Sequence, residues 1–172
     1  MFYNVENGKD DRKMNQDMCI ALDNGILKIR VGAIIMKDDK VLMVGNERAG
    51  YLYSIGGRIK FGETMEEAIV REVLEETGVK MEIDRLGFVQ ESYFYGRSPS
   101  NLGKLVYQIS FYFYMKVPSD FVINEDMVME DNDEERLMWS SLDEDMQILP
   151  EFFKTELKNP SDHIKRFVTD ER

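Results

Sequence analysis

Residues 56–79 read GGRIKFGETMEEAIVREVLEETGV, and this stretch decides the fold that the sequence predicts. Thr64 followed by Glu67 has the pattern of a capping box, in which each side chain accepts a hydrogen bond from the other residue's backbone N–H. Gly78 supplies the residue that commonly follows the end of a helix. Between these signals there is no Gly or Pro, so we expect a helix over about residues 65–77.

The expected helix sorts its side chains onto distinct faces, because successive residues are rotated by about 100°. One side carries the expected core stripe of Val70, Val73 and Leu74. Another arc carries three carboxylates at spacings i, i+3 and i+4, those of Glu72, Glu75 and Glu76. Like charges at this spacing repel one another, so a bound cation would explain their crowding. Hard oxygen ligands without His or Cys favour Mg²⁺ or Mn²⁺ over zinc.

The spacing alone also fits an ordinary solvated face. Acidic helix faces are common in acidic proteins, and Glu67 and Arg71 have the i, i+4 spacing of a surface ion pair. The loop before the helix favours a binding site instead, because Gly56, Gly57 and Gly62 permit tight backbone geometry where a phosphate or a cation can approach.

The same stretch resembles the signature of the Nudix hydrolase family, G-x5-E-x7-R-E-U-x-E-E-x-G-U, in which U is a bulky aliphatic residue. Residues 57–79 match every fixed position, with Gly57, Glu63, Arg71, Glu72, Val73, Glu75, Glu76, Gly78 and Val79. Ser54 and Ile55 stand where relatives often have Leu-Pro, a departure that removes no ligand. The resemblance implies an α/β fold of the α+β type, an α/β/α sandwich with a central mixed sheet and the box helix at about residues 65–77.

The resemblance also implies a site. Carried over by position, the ligands of Mg²⁺, for which Mn²⁺ is a possible substitute, are Glu72, Glu75, Glu76 and the carbonyl of Gly56. Glu63 resembles a supporting carboxylate, and Arg71 resembles a residue that orients the glutamates. The number of metal ions stays open.

The general base differs among relatives, so the box does not decide it. Glu72 and Glu76 are candidates if metal does not fully occupy them. The acidic loop of residues 124–135 offers Glu134 and Glu135 instead, in an arrangement similar to relatives whose extra ligand or base lies just before a Trp, here Trp139.

Family members hydrolyse a pyrophosphate linkage, which leads us to expect Mg²⁺-dependent hydrolysis of a nucleoside diphosphate-linked small molecule or a nucleoside triphosphate by an activated water. A nucleotide-sensing module with the same fold is the alternative. Tyr93 and Tyr95 lie where diadenosine-polyphosphate hydrolases tend to carry a Tyr, and Arg58 is a candidate phosphate contact. The resemblance leaves the subfamily unassigned and makes a homodimer reasonable.

Composition limits the partners. The 172 residues include 22 Lys and Arg against 33 Asp and Glu, a formal net charge of −11 that argues against nucleic-acid polymers and lipid surfaces. The single Cys19 allows no intrachain disulfide and points to the reducing cytoplasm, and the single His163 excludes zinc sites of the Cys/His type. No apolar run reaches the roughly 20 residues that span a bilayer, and we expect no secretory signal at the N-terminus.

The length fits one domain over residues 18–172, preceded by a loosely ordered extension at residues 1–17. The pattern predicts further strands over residues 26–36, 41–44, 51–55 and, with breaks, 80–95, and a C-terminal helix that begins within residues 150–157. Residues 105–117 alternate with a period of two and carry large side chains on both faces, which predicts a central strand covered on each side.

Overall fold

The computed structural model describes residues 16–45, 50–99, 101–123 and 135–172. Its elements are, in chain order, β1 (Cys19–Leu22), β2 (Gly25–Ile34), β3 (Met36–Lys37), β4 (Lys40–Gly45), β5 (Tyr51–Ser54), α1 (Met65–Thr77), β6 (Glu82–Tyr95), β7 (Leu105–Lys116), β8 (Arg136–Ser141), β9 (Gln147–Leu149), α2 (Phe153–Glu156) and β10 (Lys165–Asp170). Within the described ranges, neither helix is long and apolar enough to cross a membrane.

The long alternating strands build a mixed five-stranded sheet of order β1-β2-β7-β6-β10. β7 lies at its centre, parallel to β2 and antiparallel to β6. Its two faces pack into different cores, because Phe113 and Met115 join the residues under α1 while Tyr112 and Tyr114 join those under α2. The predicted central strand, covered on each side, is therefore confirmed.

A second sheet has the order β3-β4-β5-β9, with β8 also paired to β4. Asp38 and Asp39 form the turn between β3 and β4 with φ of 52° and 60°, the left-handed conformation that tight hairpins require. The strands predicted over residues 41–44 and 51–55 are confirmed as β4 and β5. The two sheets and the helices give the mixed α+β fold that the sequence predicts.

The C-terminal part differs from the prediction. The helix expected within residues 150–157 is a single short turn, α2. Four strands were not predicted: β1, β8, β9 and β10. They are short, and β1, β9 and β10 lie at sheet edges, so pairing with distant segments decides them more than local pattern does.

The helix α1 turns a slightly different face to the core than its pattern predicts. Val73 is fully buried as expected, together with Ile69 and Thr77 one turn to either side. Leu74 is 44% exposed, so its prediction as a core residue is wrong. The sheet meets the helix along the i, i+4, i+8 line of these buried residues, and Leu74 lies about 100° away from Val73.

Candidate active site

Helix α1 begins and ends where its signals predict. The Thr64 hydroxyl accepts a hydrogen bond from the backbone N–H of Glu67 at 3.1 Å, and the Glu67 carboxylate accepts one from the backbone N–H of Thr64 at 2.8 Å. Gly78 ends the helix with φ of 71°. Glu67 therefore caps the helix and does not form the surface pair with Arg71 that its spacing suggested.

The two glycines before the helix bring the loop against both the sheet and α1. Gly56 has φ of 138°, and a Cβ there would lie 2.3 Å from the carbonyl oxygen of Val31. A Cβ on Gly57 would lie 2.3 Å from a carboxylate oxygen of Glu72. The backbone N–H of Gly56 donates to the Glu76 carboxylate at 3.1 Å. The loop thus lies directly beside two of the predicted ligands.

Arg71 holds the outer carboxylates together. Its Nε donates to Glu63 at 2.6 Å, and its Nη1 donates to Glu72 at 2.7 Å and to Glu75 at 3.0 Å. A further donation, at 3.1 Å, reaches the carbonyl of Arg58 in the loop. These hydrogen bonds hold the pKa of Glu63 below its ordinary value and raise the pKa of Arg71.

Glu76 lies at the inner end of this arc in a different environment. Its Oε1 accepts the hydrogen bond from Gly56, whereas its Oε2 is buried without a hydrogen-bond partner in the part of the chain that the structure describes. Burial raises the pKa of Glu76 to about 8 and also raises that of Glu72. A buried carboxylate oxygen without a partner is unfavourable, which makes this the place where a ligand is most needed.

These side chains surround a cleft of about 290 Å³. Its lining residues are Asp17, Arg30, Tyr53, Gly56, Gly57, Arg58, Glu72, Glu75, Glu76 and Glu135. The sequence prediction therefore brought most of the proposed metal ligands, together with Arg58 and Glu135, to one place. Among the described residues, however, no three acidic, His or Cys side chains converge closely enough to enclose a metal ion. Glu72 and Glu75 instead turn towards Arg71.

The candidates for the general base lie in different places. Glu135 lines the cleft and hydrogen-bonds to Tyr53, whose pKa is raised by burial and by that contact. Glu134 lies outside the described residues. Glu63 stands behind the cleft, bound to Arg71 and to the backbone N–H of Lys60.

Tyr93 and Tyr95, the predicted substrate residues, are not brought to the cleft. Strand pairing places both on the opposite face of the five-stranded sheet from Arg30. Tyr93 stacks on Tyr107 with 4.5 Å between the ring centroids, and Tyr95 is 51% exposed. The stack is a cross-strand pair of directly opposed residues and accounts for Tyr93 without a ligand.

Arg30 is the main residue of the cleft that the sequence did not indicate. Its Nη2 donates to the carbonyl of Gly56 at 3.1 Å, the carbonyl that the resemblance makes a metal ligand. This position depends on the pairing of β2 with the loop at Arg58, a contact distant in sequence. The signal available was the pair of cations, Lys28 and Arg30, alternating with apolar residues in an otherwise apolar strand.

The chain was compared with known proteins. The NUDIX domain model matches residues 27–158, about three quarters of the chain. The ADP-ribose pyrophosphatase of Methanocaldococcus jannaschii is 44% identical over 54 residues, which are 30% of this chain and 32% of that relative. The matched stretch therefore spans about a third of the length of the curated relative.

Two solved structures show the same fold over most of their length. The MutT protein of Bacillus halodurans superposes with a TM-score of 0.59 at 18% identity, covering 84% of this chain and 91% of that one. A NUDIX hydrolase from Nitrosomonas europaea superposes with a TM-score of 0.54 at 19% identity, covering 88% and 82%. With its complete glutamate motif on α1 and the domain match across most of its length, the chain belongs to the NUDIX domain family.

Proposed function

We propose that this protein hydrolyses a pyrophosphate bond in a nucleoside diphosphate-linked small molecule or a nucleoside triphosphate, with Mg²⁺ as cofactor. The observation that carries the proposal is the inner carboxylate, Glu76, buried with an unpartnered oxygen at the wall of a cleft. The same cleft carries the guanidinium groups of Arg30 and Arg58, which suit phosphate oxygens.

The residues fit a divalent metal. Nudix hydrolases generally use one, and the donors available here are the hard oxygens that Mg²⁺ prefers, with Mn²⁺ as the expected substitute. We assign the ligands as Glu72, Glu75, Glu76 and the carbonyl of Gly56. The bound metal would neutralise charge on the pyrophosphate and lower the pKa of a coordinated water.

The remaining side chains have positioning and proton-transfer roles in this proposal. Arg71, anchored to Glu63, orients Glu72 and Glu75 and compensates their charge. Arg30 and Arg58 bind phosphate oxygens and align the scissile bond. Phosphoryl transfer needs such alignment and charge compensation more than covalent participation by the protein.

A carboxylate must accept the proton of the attacking water. Glu135 is the candidate that the cleft favours, because it faces the lining glutamates and is not bound to Arg71. Glu134, Glu72 and Glu76 are the other candidates that the sequence raised. A Glu135→Gln variant that lowers kcat and shifts the pH profile, while Glu134→Gln does neither, would identify the base.

A substrate screen in Mg²⁺ tests the activity. It should contain ordinary and oxidised nucleoside triphosphates, ADP-ribose, diadenosine polyphosphates and nucleotide sugars, with released products measured directly. We expect hydrolysis of at least one class, abolished by EDTA. Tight binding without product would instead support the nucleotide-sensing module. The cytoplasmic location and the homodimer stay predictions.

A further inference from the structure

Two rows of polar side chains cross the five-stranded sheet beside the cleft. One row runs from Lys28 through Gln108 to Ser92, and the next from Arg30 through Ser110 to Gln90. Directly paired residues on neighbouring strands point to the same face, so all six lie on the face of Arg30. We call these six side chains the polar patch.

The polar patch carries an unusual charge for this chain. It contains two cations and no carboxylate, although the whole chain has a net charge of −11. The ammonium of Lys28 is half-buried and has no hydrogen-bond or ion-pair partner within the described ranges. Burial lowers the pKa of Lys28, and the nearby Arg58 and Arg30 lower it further. Cations crowded together in this way favour an anionic ligand.

The uncharged members of the polar patch are already fixed in place. Tyr112 donates to Gln90 at 3.1 Å, and Gln90 donates to Thr169 at 3.0 Å. Gln108 donates to Ser110 at 3.1 Å. Because hydroxyls and carboxamides both donate and accept hydrogen bonds, this arrangement matches a ligand rich in hydroxyl groups.

The polar patch does not resemble a platform for a nucleobase. Bases are bound largely by stacking on aromatic rings, and none of the six side chains is aromatic. Tyr93 and Tyr107 stack with each other on the opposite face of these strands. The chemistry of the patch therefore favours a sugar over a base.

We propose that the polar patch binds the sugar of a nucleoside diphosphate sugar, with Lys28 and Arg30 contacting the phosphate to which that sugar is attached. This inference rests on the proposed function, since it places the scissile pyrophosphate in the cleft. Arg30 belongs to both the cleft and the patch, and Lys28 lies two residues along the same strand, roughly 6.6 Å away. A group joined to the pyrophosphate in the cleft therefore extends directly over the polar patch.

A matched pair of substrates tests the proposal. One is a nucleoside diphosphate esterified to a pentose, and the other carries the same nucleoside diphosphate esterified to an alkyl chain of similar length. We expect the wild type to prefer the sugar ester by about tenfold in kcat/KM. Gln108→Ala should remove that preference through KM, because the lost hydrogen bonds serve only the sugar. Gln147→Ala, an exposed glutamine on β9, is the control.

The outcomes separate this inference from the proposed function. Equal loss on both esters, or no loss on either, would overturn the sugar assignment. If the wild type cleaves neither ester in Mg²⁺, the proposed function fails, and binding of ribose 5-phosphate in EDTA, observed by ligand NMR, decides the patch. Binding that Gln108→Ala abolishes and Gln147→Ala retains supports the inference. Absence of binding by the wild type overturns it.

Discussion

The carboxylates around α1 divide into an outer end and an inner end with opposite environments. At the outer end, the guanidinium of Arg71 lies within 3.0 Å of carboxylate oxygens of Glu63 and Glu75. At the inner end, Glu76 receives a single hydrogen bond, from the backbone of Gly56, and its second oxygen is buried without a partner among the described residues.

The difference teaches which part of an acidic cluster is structural. The outer end is compensated by the protein's own cation, so it is stable as it stands. The inner end is neutral below its pKa of about 8 and becomes an uncompensated buried charge above it. A divalent cation is needed only at the inner end, and this is where the account expects metal removal to be felt most.

Neutralising the inner carboxylate should have the largest effect. Glu76→Gln keeps the shape and removes a metal ligand, so we expect kcat to fall by roughly 10³-fold, which is several kcal/mol of transition-state stabilisation. Thermal unfolding in EDTA at pH 7 should be unchanged, because Glu76 is already largely protonated there. Glu66→Gln, exposed in the first turn of the same helix, is the control. Hydrolysis by Glu76→Gln within threefold of wild type would contradict the account.

The pH dependence of stability should also belong to the inner end. The pKa of Glu76 is about 8 in the folded protein against a model value of 4.5, so between these values the folded state holds a proton that the unfolded state has lost. Unfolding free energy in EDTA should therefore fall as pH rises from about 5 to above 8, by at most about 1.4 kcal/mol per pH unit for this group.

Urea unfolding across this pH range measures the slope. The Glu76→Gln variant should lack this contribution, and Mg²⁺ should restore stability at the alkaline end because it binds the ionised form. An identical slope in wild type and variant would show that the inner carboxylate is not the titrating group.

Removing the outer cation should destabilise the fold itself. Arg71→Ala leaves Glu63 and Glu72, each about one fifth exposed or less, without their compensating charge. We expect a loss of about 2–3 kcal/mol in urea unfolding at pH 7. The matched control is Arg166→Ala, whose guanidinium is 67% exposed and pairs with Glu91, with an expected loss below about 1 kcal/mol. Equal losses would mean that the outer end is an ordinary surface cluster.

The smallest effect should come from the exposed outer ligand. Glu75 is 46% exposed and already paired with Arg71, so Glu75→Gln should lower kcat/KM by about tenfold, well short of the loss in Glu76→Gln. Steady-state kinetics of the two variants side by side gives the comparison. Losses of equal size would remove the distinction between the two ends.

Local signals predicted the parts of the molecule that local interactions determine. The capping box at Thr64 and the glycine at position 78 set the ends of α1, and the alternation of residues 105–117 predicted the central strand. The glutamate spacing brought Glu72 and Glu76 to one cleft. These features follow from helix and strand periodicity within a single segment.

Long-range pairing decided what the sequence did not reveal. Arg30 reaches Gly56 because β2 pairs with the loop at Arg58, and Leu74 is exposed because of how the sheet meets α1. The opposite pull of Arg71 and burial on the carboxylates likewise depends on tertiary contacts. No window of neighbouring residues contains that information.

Calorimetry of Mn²⁺ binding tests the central claim that metal binds at the inner end. Titrations at pH 7 in two buffers of different ionisation enthalpy report the protons released per ion. The wild type should release close to one proton, because Glu76 must lose its own to become a ligand. Glu76→Gln should release none and bind at least about tenfold more weakly. The same proton release and affinity in both proteins would contradict the account.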